Sequence, residues 1–175
     1  MPGAVAKMRF ALDHNFPANV VATFGALMPR LDLVPIRDID PRFAELDDWE
    51  LFVALHRHAE RWDGLITNDE ALLALPKEMT VLSQTQLTLV IASGEGDNPI
   101  RAVGVLLCHL NHICHHSKPN RAQIWRLRVA QKNHEEPRTF LEKIAERDGV
   151  TVESVIHKHK GAPHGSSPTW PPRRE

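Results

Sequence analysis

The sequence MRFALDHNFP, residues 8–17, decides the fold prediction because an apolar run stops abruptly at a carboxylate. Residues 10–12 are apolar in succession, as in a strand that is buried on both faces of a parallel sheet. Asp13 follows at the carboxyl end of that strand, which is the edge where open α/β sheets place their ligands. Pro17, one turn further on, is typical of the first turn of a helix. The stretch therefore predicts a strand, an acid at the sheet edge and a helix.

A similar order of elements continues along the chain. Apolar periodicity and short apolar runs predict helices over residues 18–28, 47–61, 70–75 and 100–116, and strands over residues 31–36, 64–67, 79–82 and 121–129. Residues 87–92 are either a fifth strand or the end of a crossover, and residues 37–45 are a polar link. Strands that alternate with helices predict an α/β fold, with a mostly parallel sheet covered on both faces.

The chain length predicts one main domain with a small appendage, because 175 residues is an ordinary size for a single domain. We assign residues 1–132 to the main domain. Residues 133–160 form a helical C-terminal appendage, with helices over 137–147 and 150–159. Residues 161–175 are rich in proline and serine and are predicted to be disordered.

Two cysteines, Cys108 and Cys114, are too few and too close to form a disulfide framework, which favours a reducing, cytoplasmic setting. We expect no signal peptide at the N-terminus, because the short apolar stretch at residues 4–6 is followed at once by Lys7 and Arg9. We expect no membrane association, because no run of eighteen apolar residues exists.

Charge is distributed unevenly. Residues 1–100 carry 8 basic and 15 acidic residues, whereas residues 101–175 carry 13 basic and 7 acidic residues. An acidic half that holds a site, beside a basic half, suits a metal-dependent enzyme that acts on a polyanion. Solvated faces of uneven composition explain the same counts.

Three acids are predicted to meet at one edge of the sheet. Asp13 ends the first strand, Asp69 follows the strand at 64–67, and Asp48 opens the helix at 47–61. Carboxylates in one crevice repel each other unless a cation lies among them, and hard oxygen ligands suit Mg²⁺ or Mn²⁺. Such an ion can activate a bound water and neutralise charge on a phosphodiester. These three acids are therefore candidate metal ligands and catalytic residues.

Each acid also has a structural interpretation. Asp48 or its neighbour Asp47 is a candidate helix cap, and Asp69 is a candidate cap for the helix at residue 70. Asp13 is harder to explain in this way, because it directly follows a buried strand. Asn15 either orients a ligand or caps the first helix.

Residues 13–17 (DHNFP), 48–51 (DWEL) and 65–69 (LITND) together resemble the PIN-like nucleases, above all the VapC-type toxins and their small bacterial relatives. The family pattern is a strand that ends in D-x-N-x-P, an acid that opens a helix, and a strand that ends in T-x-D. The resemblance covers about residues 7–130. It implies a three-layer α/β/α sandwich and metal-dependent cleavage of RNA that leaves 5′-phosphate and 3′-hydroxyl ends.

The resemblance implies that Asp13, Asp48 and Asp69 bind Mg²⁺ or Mn²⁺. Many PIN domains have a further acid late in the domain; Asp97 is the nearest candidate here, and its match is poor. If Asp97 lies away from the others, the site holds one metal rather than two. The resemblance also implies an RNA substrate and, for a toxin, a cognate antitoxin protein. The apolar helix at 100–116 makes a homodimer an expectation.

Further polar residues have weaker interpretations. Cys108, His112 and His116 share one helix face and suggest zinc. However, the first and last are about 12 Å apart along the axis, so a zinc site would need ligands from elsewhere, and structural or solvated histidines are the favoured interpretation. His14 is a candidate for substrate contact or proton transfer. Basic residues that would steer a phosphate backbone, or simply be surface charges, are Arg121, Arg126, Arg128 and Lys132.

Two other functions compete with the ribonuclease. Phosphatases of the haloacid-dehalogenase type also begin from an Asp at a strand end, but they need a second Asp where this chain has Asn15. A catalytically inactive PIN-like module that binds a protein or nucleic acid is the main alternative, because a fold alone does not fix an activity. Cleavage of DNA rather than RNA is also open.

Overall fold

The computed structural model describes residues 7–14, 16, 20–92, 99–128 and 134–159. Its described part is an α/β fold around one six-stranded sheet. The strands are β1 (Met8–Leu12), β2 (Leu31–Pro35), β3 (Gly64–Thr67), β4 (Thr88–Ala92), β5 (Gln123–Leu127) and β6 (His134–Glu135). The helices are α1 (Val20–Leu27), α2 (Ile36–Ile39), α3 (Asp48–His56), α4 (Pro76–Ser83), α5 (Pro99–His116), α6 (Pro137–Asp148) and α7 (Val152–His159).

The sheet has the strand order β2-β1-β3-β4-β5-β6, and every pairing except that of β5 with β6 is parallel. The predicted mostly parallel sheet is therefore confirmed. The connection from β1 leads to β2 on one side of β1, and the connection from β2 leads to β3 on the other side, so the strand order reverses between β1 and β3. Ligands of open α/β sheets bind at such a point, outside the carboxyl ends of the strands. Pro35 fits this order because β2 is an edge strand.

Register between β1 and β3 positions the candidate acids. Leu12 pairs with Ile66, so Asp13 and Thr67 follow side by side at the carboxyl edge. Gly64 of β3 faces Thr88 of β4, and a Cβ atom at residue 64 would lie 1.9 Å from the Thr88 carbonyl oxygen. The close approach of these two strands therefore requires glycine.

Apolar residues form two buried clusters, and neighbouring strand residues enter different clusters because their side chains alternate across the sheet. Phe10 and Leu12 belong to one cluster with residues of α1 and α5, whereas Ala11 belongs to the other. The cluster that contains Ala11 also contains residues of α3, α4, α6 and α7. Helices α6 and α7 therefore contribute to the same hydrophobic core as α3 and α4.

The strand predicted over residues 79–82 is wrong, because these residues lie in α4. Pro76 begins this helix, where a missing N–H costs nothing. Met79 and Leu82 are both buried and are three residues apart, which is helical spacing. A four-residue apolar run is too short to distinguish a strand from a buried helix by its pattern. The strand at residues 87–92 is present as β4.

Several boundaries also differ from the predictions. The helix expected over residues 47–61 ends at His56, and the helix expected over 70–75 is a 3-10 turn, Ala71–Ala74. The polar link at residues 37–45 contains α2 and a second 3-10 turn, Pro41–Glu45. Strand β6 was missed because two residues carry no periodicity. Gly149 ends α6 with φ +67°, in the left-handed region that favours glycine.

Some predictions fall outside the described residues, namely those for Asn15, Asp97, Lys132 and the tail at 161–175. Within the described ranges, none of the helices combines the length and apolar character needed to cross a bilayer.

Candidate acidic site

Asp13 is held at the boundary between β1 and β3. Its backbone N–H donates to the Ile66 carbonyl oxygen over 3.0 Å, and its carboxylate Oδ2 accepts from Thr67 Oγ1 over 2.8 Å. The residue is only 8% exposed. A buried carboxylate requires such partners, because desolvating an unpaired charge is costly. Asp13 therefore has a fixed position at the end of the sheet.

Thr67 also connects Asp13 to Asp69. Its Oγ1 accepts from the Asp69 backbone N–H over 3.1 Å while it donates to Asp13. Asp69 Oδ1 accepts from the Ala71 N–H over 2.8 Å, so this acid caps the 3-10 turn that follows β3. The structural role considered for Asp69 is therefore present. The Asp69 residue is exposed, so its carboxylate also faces solvent.

His14 lies at the rim, above the Asp13 carboxylate. Its backbone N–H donates to Asp13 Oδ1 over 2.7 Å, and its ring Nδ1 lies 2.7 Å from the same oxygen. The His14 side chain is 66% exposed, whereas that of Asp13 is 10% exposed. The imidazole thus links the buried carboxylate to the surface.

Asp48 is the first residue of α3, and the residue that caps this helix is Asp47. The Asp47 N–H donates to Glu50 Oε2 over 3.1 Å, as in a capping box. The Asp48 carboxylate is therefore not needed as the N-cap. Burial raises its pKa, and repulsion from Asp13 and Asp69 raises it further. Three elements distant in sequence thus bring negative charge together at Asp48. Asp13, Asp48 and Asp69 are called the acidic site below.

Glu78 was not predicted, and it also raises the pKa of Asp48 through charge repulsion. It lies in the first turn of α4, the helix whose residues 79–82 were predicted to form a strand. Helix α4 is further linked to α3 by Lys77, whose Nζ lies 3.5 Å from the centre of the Trp49 ring. Pro76, interpreted as the start of a helix, is the sequence signal that would have placed Glu78 in the first turn of that helix.

The donor chemistry and charge of the acidic site fit a hard divalent cation. Burial and, after it, the neighbouring negative charges raise the pKa of Asp48. A cation would offset those charges, and carboxylate oxygens are the ligands that Mg²⁺ and Mn²⁺ prefer. In the part of the chain that the structure describes, no three His, Cys, Asp or Glu side chains are grouped as a ready-made metal site. The acidic site therefore fits a divalent cation in its negative charge and in the type of its ligand atoms.

Basic residues reach the same edge of the sheet. Arg126 of β5 pairs with Glu70 and lies 3.4 Å from Glu135, and Arg128 lies 3.1 Å from Glu70. Burial opposes ionisation of Glu70, but its hydrogen bonds and charge interactions with Arg126 and Arg128 outweigh this and lower its pKa. Because Glu70 directly follows Asp69, two arginines lie beside the acidic site.

An open cavity of about 340 Å³ lies next to these arginines. Its lining is Glu70, Leu73, Ala74, Arg126, Phe140, Lys143, Ile144 and Arg147. The cations of α6 thus come near the same edge of the sheet as the acidic site.

The two cysteines of α5 lie in different environments. Cys108 is exposed, whereas burial and the charge of Asp63 raise the pKa of Cys114 to about 11. His109 is buried. The described residues of α5 therefore do not assemble a complete cysteine and histidine site.

Comparison of the chain with protein-family models, with curated proteins and with solved structures finds no match.

Proposed function

We propose that the protein is a metal-dependent endoribonuclease of the PIN-like class, with a three-layer α/β/α arrangement. The observation that carries the proposal is the environment of Asp48. This side chain is not the cap of its own helix, and it experiences the charges of Asp13 and Asp69, which come from two adjacent strands. A fold gains nothing in stability from this repulsion, which is typical of a site kept for function.

Bound at the acidic site, Mg²⁺ or Mn²⁺ would supply charge neutralisation and an activated water. Asp13, Asp48 and Asp69 would hold the ion. Thr67 would fix the orientation of Asp13 through its 2.8 Å hydrogen bond, and its contact with the Asp69 N–H would couple the two acids. His14 is positioned to exchange a proton between solvent and the rim of the site.

The adjacent arginines support a polyanionic substrate. Arg126 lies on β5, the strand next to β4, and Arg128 follows that strand. Both form ion pairs with Glu70, one residue after Asp69. Their positive charge would attract an RNA backbone toward carboxylates that otherwise repel it. We propose that the enzyme acts in the cytoplasm as the toxin of a toxin–antitoxin pair. Its partner would be an antitoxin protein, and the enzyme itself would be a homodimer.

The test compares Mn²⁺ binding by calorimetry and cleavage of a labelled single-stranded RNA in the wild type, Asp13→Asn and Asp48→Asn. We expect Mn²⁺-dependent cleavage with 5′-phosphate products, lost in both variants and in the presence of EDTA. Asp47→Asn is the matched control, because asparagine still caps α3 and the residue adjoins Asp48. If the protein cleaves only single-stranded DNA, the substrate in this proposal becomes DNA and the proposed metal site stays the same.

A binding module without catalysis is the second candidate. It is favoured by one observation: the Asp13 carboxylate is already engaged by the Thr67 hydroxyl and by the His14 backbone N–H. If folded wild-type protein binds neither Mn²⁺ nor Mg²⁺ in the calorimeter, the nuclease proposal is overturned and this candidate takes its place.

A further inference from the structure

The open cavity of about 340 Å³ between the 3-10 turn Ala71–Ala74, β5 and α6 is called the α6 cavity below. Its floor is apolar, because Leu73, Phe140 and Ile144 line it and are buried. An apolar floor beside cations suits a ligand that carries both a flat apolar ring and a negative charge. The cations of the lining are Arg126, Lys143 and Arg147.

The α6 cavity lies on the same face of the sheet as the acidic site. Ala11 of β1 and Ile124 of β5 belong to the same apolar cluster. Asp13 and Arg126 each follow two residues later, so the alternation of side chains places both on that face. Both also lie at the carboxyl ends of their strands. The cavity and the acidic site therefore share one face and one edge.

Strand register gives the distance between the two sites. Ile91 of β4 pairs with Thr67 on one side and with Arg126 on the other. Neighbouring strands are about 4.8 Å apart, so the backbone of Arg126 lies about 10 Å from that of Thr67. The 3-10 turn that Asp69 caps also supplies one wall of the cavity, through Ala74. A nucleic-acid strand at the acidic site would therefore reach the α6 cavity within a few nucleotides.

Lys143 is the cation of the cavity that is best placed to bind a phosphate. Its Nζ lies 5.0 Å from the centre of the Phe140 ring, rather than against a carboxylate of the described residues. The arginines of the lining, by contrast, form ion pairs with Glu70 and Asp148. Lys143 is exposed, and a cation–π contact is weak at an exposed site, so its ammonium can move to a phosphate oxygen at little cost.

We propose that the α6 cavity binds one unpaired nucleotide of the RNA, with its base against the apolar floor and its phosphate on Lys143. This inference rests on the proposed ribonuclease function, and it makes single-stranded RNA the substrate class. Ligand pockets span about 300–1,000 Å³, so a cavity of about 340 Å³ fits one nucleotide and not a duplex. Unpaired bases can enter a pocket, whereas the bases of a duplex stay stacked and paired.

The experiment measures binding of a labelled single-stranded RNA to the full chain by fluorescence anisotropy, in EDTA and at several salt concentrations. Lys143→Gln removes one phosphate contact, so the slope of log K against log salt should fall by about 0.7, which is about fourfold in affinity at 0.15 M salt. Ala74→Phe fills the cavity from an exposed position. It should weaken binding by about fivefold or more, the lower end of what one base contributes, and leave the slope unchanged.

Lys118→Gln is the matched control. Lys118 is exposed and precedes β5, so it lies at the opposite edge of the sheet from Arg126. Its loss should leave the affinity within about twofold of wild type and the salt slope unchanged. A duplex RNA of the same sequence should bind more weakly than the single strand. Circular dichroism and Tm check that each variant is folded.

Three outcomes would overturn the proposal. The first is wild-type affinity in both Lys143→Gln and Ala74→Phe. The second is equal weakening in Lys118→Gln, which would show diffuse attraction by surface charge. The third is absence of RNA binding by the wild type, which would leave an acidic peptide as the ligand that the same lining fits.

Cleavage with Mn²⁺ separates this test from that of the nuclease. If the folded wild type binds RNA through the α6 cavity but does not cleave it, the nuclease proposal fails and the cavity proposal stands. If the wild type cleaves RNA and both Lys143→Gln and Ala74→Phe bind and cleave it equally well, the nuclease proposal stands and the cavity proposal fails.

Discussion

The acidic site and the histidine pair, which is formed by the stacked rings of His112 and His116 on α5, are built in opposite ways. The acidic site gathers Asp13, Asp48 and Asp69 from three separate elements, and its carboxylates repel one another. The histidine pair lies within one helix, four residues apart, and its rings stack. The first arrangement depends on the register of a sheet and costs stability, whereas the second depends on local spacing alone. Variants that disturb the sheet should therefore affect these two arrangements very differently.

The largest effect is expected from Gly64→Ala. A Cβ at this position would lie 1.9 Å from the Thr88 carbonyl oxygen and 2.8 Å from the Phe10 ring, so β3 and β4 must separate. We expect a loss of about 3 kcal/mol or more in the free energy of unfolding, which is the range of steric disruption in a core. Urea denaturation followed by circular dichroism measures it.

Gly104→Ala is the matched control for that variant. Gly104 lies in α5, and a Cβ there would meet nothing within 4 Å. Alanine is the better helix former, so this variant should gain about 0.5–1 kcal/mol. A loss of stability in Gly104→Ala comparable to that in Gly64→Ala would show that alanine itself, and not the strand contact, is responsible.

Thr67→Val should have the next largest effect. It removes the hydroxyl that donates to Asp13 and accepts from the Asp69 N–H, while keeping a side chain of similar shape. Leaving a buried carboxylate without this donor costs about 1–3 kcal/mol. Loss of an outer partner should also weaken Mn²⁺ binding about 10–100-fold. Calorimetry and urea denaturation measure the two effects.

Thr67→Ser keeps the hydroxyl and is the control for Thr67→Val. It should retain Mn²⁺ affinity close to that of the wild type. If Thr67→Val binds Mn²⁺ as tightly as Thr67→Ser, the hydroxyl does not orient a metal ligand.

Asp48→Asn should separate stability from function. In the metal-free protein the pKa of Asp48 is raised, so its ionised form is less favourable in the folded chain than in the unfolded chain. The cost is absent below the ordinary pKa of 3.8, grows as the pH rises through the folded-state pKa, and is complete at pH 7. Asp48→Asn removes it. Because the side chain is partly exposed, we expect a gain of at most about 1 kcal/mol, or about 2–4 °C in Tm.

Thermal unfolding at pH 7 and pH 4, with EDTA present, measures this gain in Asp48→Asn. The difference from wild type should be larger at pH 7. Mn²⁺ should stabilise the wild type and not the variant. A lower Tm for Asp48→Asn at pH 7 would contradict the repulsion described for the acidic site.

Much of the sheet could be predicted from sequence because its strands are short apolar runs bounded by polar residues. The run at residues 10–12 and the run at 64–67 both mark their strands and the acids that follow. Placing Asp13 beside Thr67 also needed the pairing of Leu12 with Ile66. Strand order depends on how the whole chain folds, so no local sequence pattern predicts it.

Residues near Pro76 show where sequence reasoning fails. Apolar residues 79, 81 and 82 fit a strand as well as a buried helix, and the error concealed Glu78. Contacts between side chains that are distant in sequence could not be predicted either. The link from Glu70 to Arg126 joins residues 56 positions apart, and only the fold brings them together.

The smallest expected effect comes from Glu78→Gln, which tests the extent of the acidic site. Glu78 contributes less than Asp13 and Asp69 to the raised pKa of Asp48, so its neutralisation should stabilise the metal-free protein by less than Asp48→Asn does, within about 0.5 kcal/mol. If Glu78 only contributes charge, Mn²⁺ affinity should fall by a few-fold, and the fall should diminish at high ionic strength because salt screens charges at a distance. If Glu78 is a ligand, the affinity should fall as far as in Asp48→Asn and independently of salt. Calorimetry at two salt concentrations therefore decides whether the acidic site ends at three elements or includes α4 as a fourth.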